Sequence, residues 1–157
     1  MELVKYALSL NIKPDKIDEV KKEIQELFKS WSQQSEANGW EANGTGRIVQ
    51  SFDEQTGDFA FDTGEERDIP IWLRDDTLAA LRDMGRYATS GAIVHRTING
   101  KPADFAVGPS DLAMKQATQS ERIHRALEAL ANIRDAVPED VLTDIDNLSA
   151  SLKQLIQ

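Results

Sequence analysis

Val4, Tyr6, Leu8, Leu10 and Ile12 alternate with Leu3, Lys5, Ala7, Ser9 and Asn11. That two-residue period marks a strand with one face in a core and the other small or polar. Directly after it, Ile17, Val20, Ile24, Leu27, Phe28 and Trp31 recur at helical spacing and form one apolar stripe. A half-buried strand followed by an amphipathic helix restricts the chain to folds that lay a helix on one side of a sheet. Pro14-Asp15 opens the helix with Asp15 as the expected N-cap, and Asn38-Gly39 supplies a left-handed stop.

Further elements follow in the same manner. Trp40 to Phe52 reads as extended structure interrupted by Asn43-Gly44-Thr45-Gly46. A hairpin with arms Arg47–Phe52 and Asp58–Asp62 turns at Asp53–Gly57. A polar loop, Asp62–Asp68, leads to the apolar island Ile69-Pro70-Ile71-Trp72-Leu73, which reads as a buried strand. Asp75 or Asp76 then caps a helix through Leu78, Leu81 and Met84, closed at Ser90-Gly91. Asn99-Gly100 joins Ala92–Ile98 to Lys101–Val107 in a second hairpin. Ser110 or Asp111 begins a helical region reaching about Asp135, and Thr118–Glu121 matches a capping box, which leaves one helix or two open there. Pro138 falls in the first turn of a last helix.

The order β-α-β-β-α-β, then an extra strand, then helices, resembles the split βαβ pattern of ferredoxin-like folds. The expected class is therefore α+β: a ferredoxin-like antiparallel sheet with an extra strand hairpin and a C-terminal helical hairpin. Residues 1–108 would form the α+β domain. Residues 109–157 would form a helical hairpin packed on it or used for oligomerisation. The hairpin seam is expected along Ile123, Leu130 and Ile133 on one helix and Val141, Ile145, Leu148, Leu152 and Leu155 on the other. It either covers the domain's own sheet or joins a second chain, so a homodimer is among the expectations.

Charge carries the functional expectation. The chain has a formal net charge of -9. Between Ser51 and Ala92 ten acids face four arginines, a balance of −6. A field of one sign repels nucleic acid and attracts basic partners. The candidate partner-binding face is Asp53, Glu54, Asp58, Asp62, Glu65, Glu66 and Asp68, with Trp72 as anchor. The bland alternative is a solvated loop. The expected role is a small acidic, non-catalytic regulator, inhibitor or adaptor of a basic protein, with nucleic-acid-handling proteins among the candidate partners. The second reading, from another class, is a ferredoxin-like dimer that binds or converts a small molecule in a pocket between sheet and helices. Tyr6, Trp31, Trp40 and His95 are its candidate residues.

Other chemistry finds little support. With no cysteine, disulfides, thiolate metal sites and cysteine nucleophiles are excluded. The two histidines, His95 and His124, read as structural or surface residues. Asp53–Asp58 lacks the alternating ligands and final glutamate of a calcium loop. No catalytic residue, cofactor or metal is expected. Met1–Lys5 lacks the basic segment and apolar core of a signal peptide, and no apolar run nears the roughly 18 residues of a membrane span. The expected setting is cytoplasmic, with no membrane partner.

Overall fold

The computed structural model describes residues 2–38 and 48–156. It is a mixed α+β structure with an open antiparallel sheet and four α-helices. The strands are β1 (Glu2–Asn11), β2 (Val49–Phe52), β3 (Asp58–Asp62), β4 (Arg67–Ile69), β5 (Ala92–Ile98), β6 (Lys101–Pro102) and β7 (Phe105–Val107). The helices are α1 (Ile17–Asn38), α2 (Ile71–Arg86), α3 (Asp111–Ile133) and α4 (Glu139–Gln154). Among the described residues no helix is long and apolar enough to cross a membrane.

The sheet runs β2-β3-β1-β5-β6, with β4 also on β1 and β7 also on β5. β1 is central and antiparallel to both neighbours. Its alternating residues Val4, Tyr6, Leu8 and Leu10, and Ile12 just beyond it, are all buried. They meet Val20, Ile24, Leu27 and Trp31 of α1 and Leu73, Leu81 and Met84 of α2 in one core. On its other side β1 is flanked by two short strands in succession. Ala7–Asn11 pair with β3 and Glu2–Val4 with β4. Thr63 fills the gap: its N–H donates to Tyr6 O (3.0 Å), and its Oγ1 accepts from Tyr6 N (3.0 Å).

Turn chemistry fixes both hairpins. Asn99 and Gly100 have φ of 51° and 77°, the pair of positive values a tight two-residue hairpin turn needs. The Asn99 side chain also accepts from Leu3 N (3.0 Å), tying this turn to the start of β1. At the other hairpin Asp53 Oδ1 accepts from Gln55 N (2.9 Å) and Thr56 N (3.3 Å). These backbone bonds hold its carboxyl below the usual carboxylate range.

Several local expectations are corrected. Asp15 is not an N-cap; it lies in a short 3-10 turn, Pro14–Lys16, ahead of α1. The island Ile69–Leu73 is not one buried strand. Ile69 ends β4, Pro70 is the N-cap, and α2 starts at Ile71, so Ile71 and Trp72 are exposed and Leu73 is buried. Asp75 and Asp76 therefore sit inside α2 and cap nothing. The supposed loop before it contains β4, whose Arg67 faces inward. The Lys101–Val107 arm is broken into β6 and β7 by Ala103 and Asp104. Thr118–Glu121 does not split α3, which is continuous and is capped by Ser110, whose Oγ accepts from Ala113 N (3.1 Å). Pro138 immediately precedes α4 as its N-cap. Gly39, Trp40, Asn43–Gly46 and Arg47 lie outside the described residues.

Candidate functional site: the open face of the sheet

Helices α1 and α2 cover one face of the sheet. The other carries Leu3, Lys5, Ala7, Ser9 and Asn11 from β1. Opposite Asn11, Ala7 and Leu3 stand Asp58, Asp62 and Asp68. These three acids therefore point to the same side and recur about every 13 Å along the β3–β4 border. Glu66 joins them, its Oε1 3.5 Å from the Thr97 hydroxyl of β5, with Thr97 opposite Lys5. Glu65 is exposed in the loop beside them. Trp72, 52% exposed, follows Asp68 by four residues on the first turn of α2.

The other predicted acids have local duties. Asp53 closes the β2–β3 turn. Glu54 pairs with Lys21 of α1 at 2.7 Å. Asp58 accepts from Asn11 Nδ2 (2.7 Å) and from the Thr56 hydroxyl (3.1 Å), so it serves the turn as well as the face. Asp62 Oδ1 accepts from Gly64 N (2.7 Å). The eight predicted residues thus divide into a turn group, Asp53 and Glu54, and a face group around Asp58, Asp62, Glu66 and Asp68.

Beside this face, α3 leans on β5 and β7. Between helix and sheet runs an open groove of about 890 Å³. Its floor is Ala7, Ser9, Ala60 and Ile93, and its helical wall is Ala113, Ala117, Ser120 and Glu121. Small side chains on both surfaces leave the space. Both histidines of the chain line it, as does Asp62. Tyr6 and Trp31, expected to serve a pocket, lie on the opposite side of the sheet in the core. His95 is the one described member of that expected set in the groove; Trp40 lies outside the described residues. Sequence reasoning passed over the helical wall. Its signal was Ala113, Ala117, Ser120 and His124 at helical spacing, a stripe too small-sided to register as apolar.

His95 is embedded in a charged cluster. The break between β6 and β7 turns Asp104 back onto β5, where its Oδ1 accepts from Arg96 N (3.0 Å). Its Oδ2 stands 3.4 Å from His95 Nδ1 and accepts from Arg125 (3.0 Å). Arg125 also donates to Glu121 Oε1 (3.0 Å), which lies 4.0 Å from His95 Nε2, too far for a hydrogen bond. Asp104 thereby links β5 to α3. Burial alone would raise its carboxyl pKa. The bonds from the Arg96 N–H, His95 and Arg125 outweigh that and hold it below the ordinary value. Among the described residues no group of three histidines, aspartates or glutamates could hold a metal ion.

A pH prediction follows. A carboxylate with a lowered folded pKa stabilises the fold above its unfolded pKa. It loses that contribution as the pH falls through the folded value. Asp104→Asn should therefore lower the melting temperature near neutral pH and match wild type in strong acid. Melting curves from about pH 7 to about pH 3 check this; a gap that widens on acidification contradicts it.

The eight seam residues of the C-terminal helices do not form one buried seam. Ile145 is buried, and Ile123, Leu130 and Leu152 are half-buried. Ile133, Val141, Leu148 and Leu155 are 46%, 38%, 50% and 70% exposed. An Arg134–Asp146 ion pair at 3.0 Å joins the two helices near their connection. Compared with known proteins, the chain matches no family model, and no curated protein or solved structure shows significant similarity to it.

Proposed function

We propose that this protein is a non-catalytic docking module that binds a basic protein partner across the acidic half of its open sheet face. The observation that carries the reading is the common direction of Asp58, Asp62 and Asp68, joined by Glu66, with Lys5 set among them. An acidic sheet face repels nucleic-acid phosphates and steers a cationic surface into contact. Trp72 is exposed on α2, which packs on the opposite side of the sheet, so it is left out of this docking surface. On this reading the scaffold is a ferredoxin-like split βαβ unit. The order β2-β3-β1-β5, with α1 and α2 packed on one side, supports that assignment. The helices α3 and α4 then form the C-terminal hairpin.

The test uses the triple variant Asp62→Asn, Glu66→Gln, Asp68→Asn and a lysine- and arginine-rich peptide as probe. Association at low salt should slow by about tenfold or more, and the wild-type rate should fall steeply with added salt. Stability should stay within roughly 0.5 kcal/mol, because these side chains are at the surface. Equal association rates for variant and wild type at low salt would overturn the proposal.

A second reading is favoured by one specific observation, the groove of about 890 Å³ that collects both histidines, Ser120 and Glu121 beside an alanine floor. That volume and mixture suit a small polar ligand with an apolar body. It calls for a ligand whose binding raises the melting temperature and whose effect disappears in Ala117→Trp, which fills the groove.

A further inference from the structure

Three neighbouring strands set a carboxylate, an alanine and an imidazole in one row across the groove. Ala7 of β1 stands opposite Asp62 of β3 on one side and opposite His95 of β5 on the other. Directly opposed residues point to the same face of a sheet, and all three line the groove. Two strand spacings separate Asp62 and His95 by about 10 Å at their Cα atoms. From α3, Glu121 meets His95 and lines the same groove. The groove thus has a carboxylate at each rim, with Ala7 on the floor between them. Among the described residues no lysine or arginine lines it.

Both carboxylates keep capacity for a further donor. Asp62 Oδ1 accepts from Gly64 N, which leaves Oδ2. Glu121 Oε1 accepts from Arg125, which leaves Oε2. Arg125 is shared between Glu121 and Asp104, so one negative charge remains uncompensated at this rim. With the His95 proton on Nδ1, toward Asp104, Nε2 is an acceptor that faces Glu121 Oε1 across 4.0 Å. Two acceptors cannot bond each other, and an ammonium group beside that gap reaches both at ordinary hydrogen-bond length.

We propose that the groove binds a short aliphatic diamine, one ammonium group held by Glu121 and His95, the other by Asp62, with the methylenes over Ala7. This rests on the reading of the groove as a ligand site and names the ligand class. Charge selects a dication, because one negative charge stands at each rim. Spacing selects an elongated one. Rims this far apart do not converge on a single inorganic ion, and among the described residues no group of three acids or histidines could hold a metal. Glu121 belongs to the groove alone and Asp68 to the docking row alone, so ligand and partner are separable.

The probes are diaminohexane, hexylamine, hexanediol and adipate, tested by titration calorimetry at physiological ionic strength. Diaminohexane should bind, at least about tenfold more tightly than hexylamine. Asp62→Asn and Glu121→Gln should each weaken it about tenfold, while Asp68→Asn should change it less than about twofold. Glu121→Gln should leave association of the lysine- and arginine-rich peptide unchanged, which separates a free diamine from the lysines of a docked protein. Equal weakening by Asp62→Asn and Asp68→Asn would mean that the diamine merely condenses on the acidic face, and it overturns the proposal. Absence of diaminohexane binding overturns it too. If hexanediol or adipate then binds and Ala117→Trp abolishes that binding, the groove remains a ligand site for another chemistry. If no probe binds, the groove reading falls with the proposal.

Discussion

Trp31→Ala should destabilise the protein by about 3–5 kcal/mol, the usual cost of emptying a large aromatic site. Trp31 is 1% exposed. Its ring meets Tyr6 edge-on at 6.2 Å and Phe61 at 5.9 Å, joining α1 to β1 and β3. Its Nε1–H donates to the Thr77 hydroxyl (3.0 Å), which itself donates to Leu73 O (2.7 Å) inside α2. One side chain thus fastens both helices to the sheet. A loss of that size is a large share of the roughly 5–15 kcal/mol of a typical domain, enough to leave the variant partly unfolded in buffer. Trp31→Phe separates the two contributions. It keeps most of the ring contact and removes the donor to Thr77, so it should cost about 1–3 kcal/mol. Urea unfolding midpoints decide. A change below about 1 kcal/mol for the alanine variant would mean that the three rings do not form a shared core.

The N-terminal half of the fold was legible because its residues obey one period at a time. Val4 to Ile12 alternate strictly and every inward member is large. Asn99-Gly100 admits few backbone conformations other than the one it takes. Where two signals overlap, reading failed. Pro70 lies between Ile69 and Ile71, so an unbroken apolar run conceals the end of β4 and the start of α2. β4 was hidden because an arginine, not an aliphatic residue, takes its inward position at 67. On α4 the sequence offers Val141, Ile145, Leu148, Leu152 and Leu155 as readily as Leu142, Ile145, Ser149, Leu152 and Ile156. Both share Ile145 and Leu152, and only tertiary packing decides which flank turns inward. The acidic residues were visible as a composition, yet their division between turn and sheet face depends on register. Asp58 and Asp62 point one way because they are four apart on one strand. Asp68 joins them only because β4 resumes the pairing on β1 that β3 leaves off. The groove was illegible for another reason. Eight of its 18 lining residues are alanine or serine, drawn from positions as distant as 7, 60, 92 and 117, and small residues announce no face.

Gly91→Ala tests the contact that makes the groove. A Cβ at Gly91 would lie 2.3 Å from Ala113 O and 2.8 Å from Ala113 C, both backbone atoms in the first turn of α3. Neither can swing aside as a flexible side chain would, so α3 must lift or β5 must shift. The expected cost is about 1–3 kcal/mol, as for other overpacked sites. The displacement should be local, because α3 has no buried side chain to resist it, whereas α1 is locked by Val20, Ile24, Leu27 and Trp31. Amide hydrogen exchange in the first turns of α3 should therefore quicken by tenfold or more, with α1 and β1 slowed or quickened only as global stability dictates. Asp104 and Arg125 provide an internal check on the mechanism. They bridge β5 to α3 at 3.0 Å further along the helix, so lifting its start should strain that bridge and make Asp104→Asn cost less in the Gly91→Ala background than alone. Full additivity of the two substitutions, with unchanged exchange in α3, would show that the helix is not seated on Gly91 and that the groove owes its width to something else.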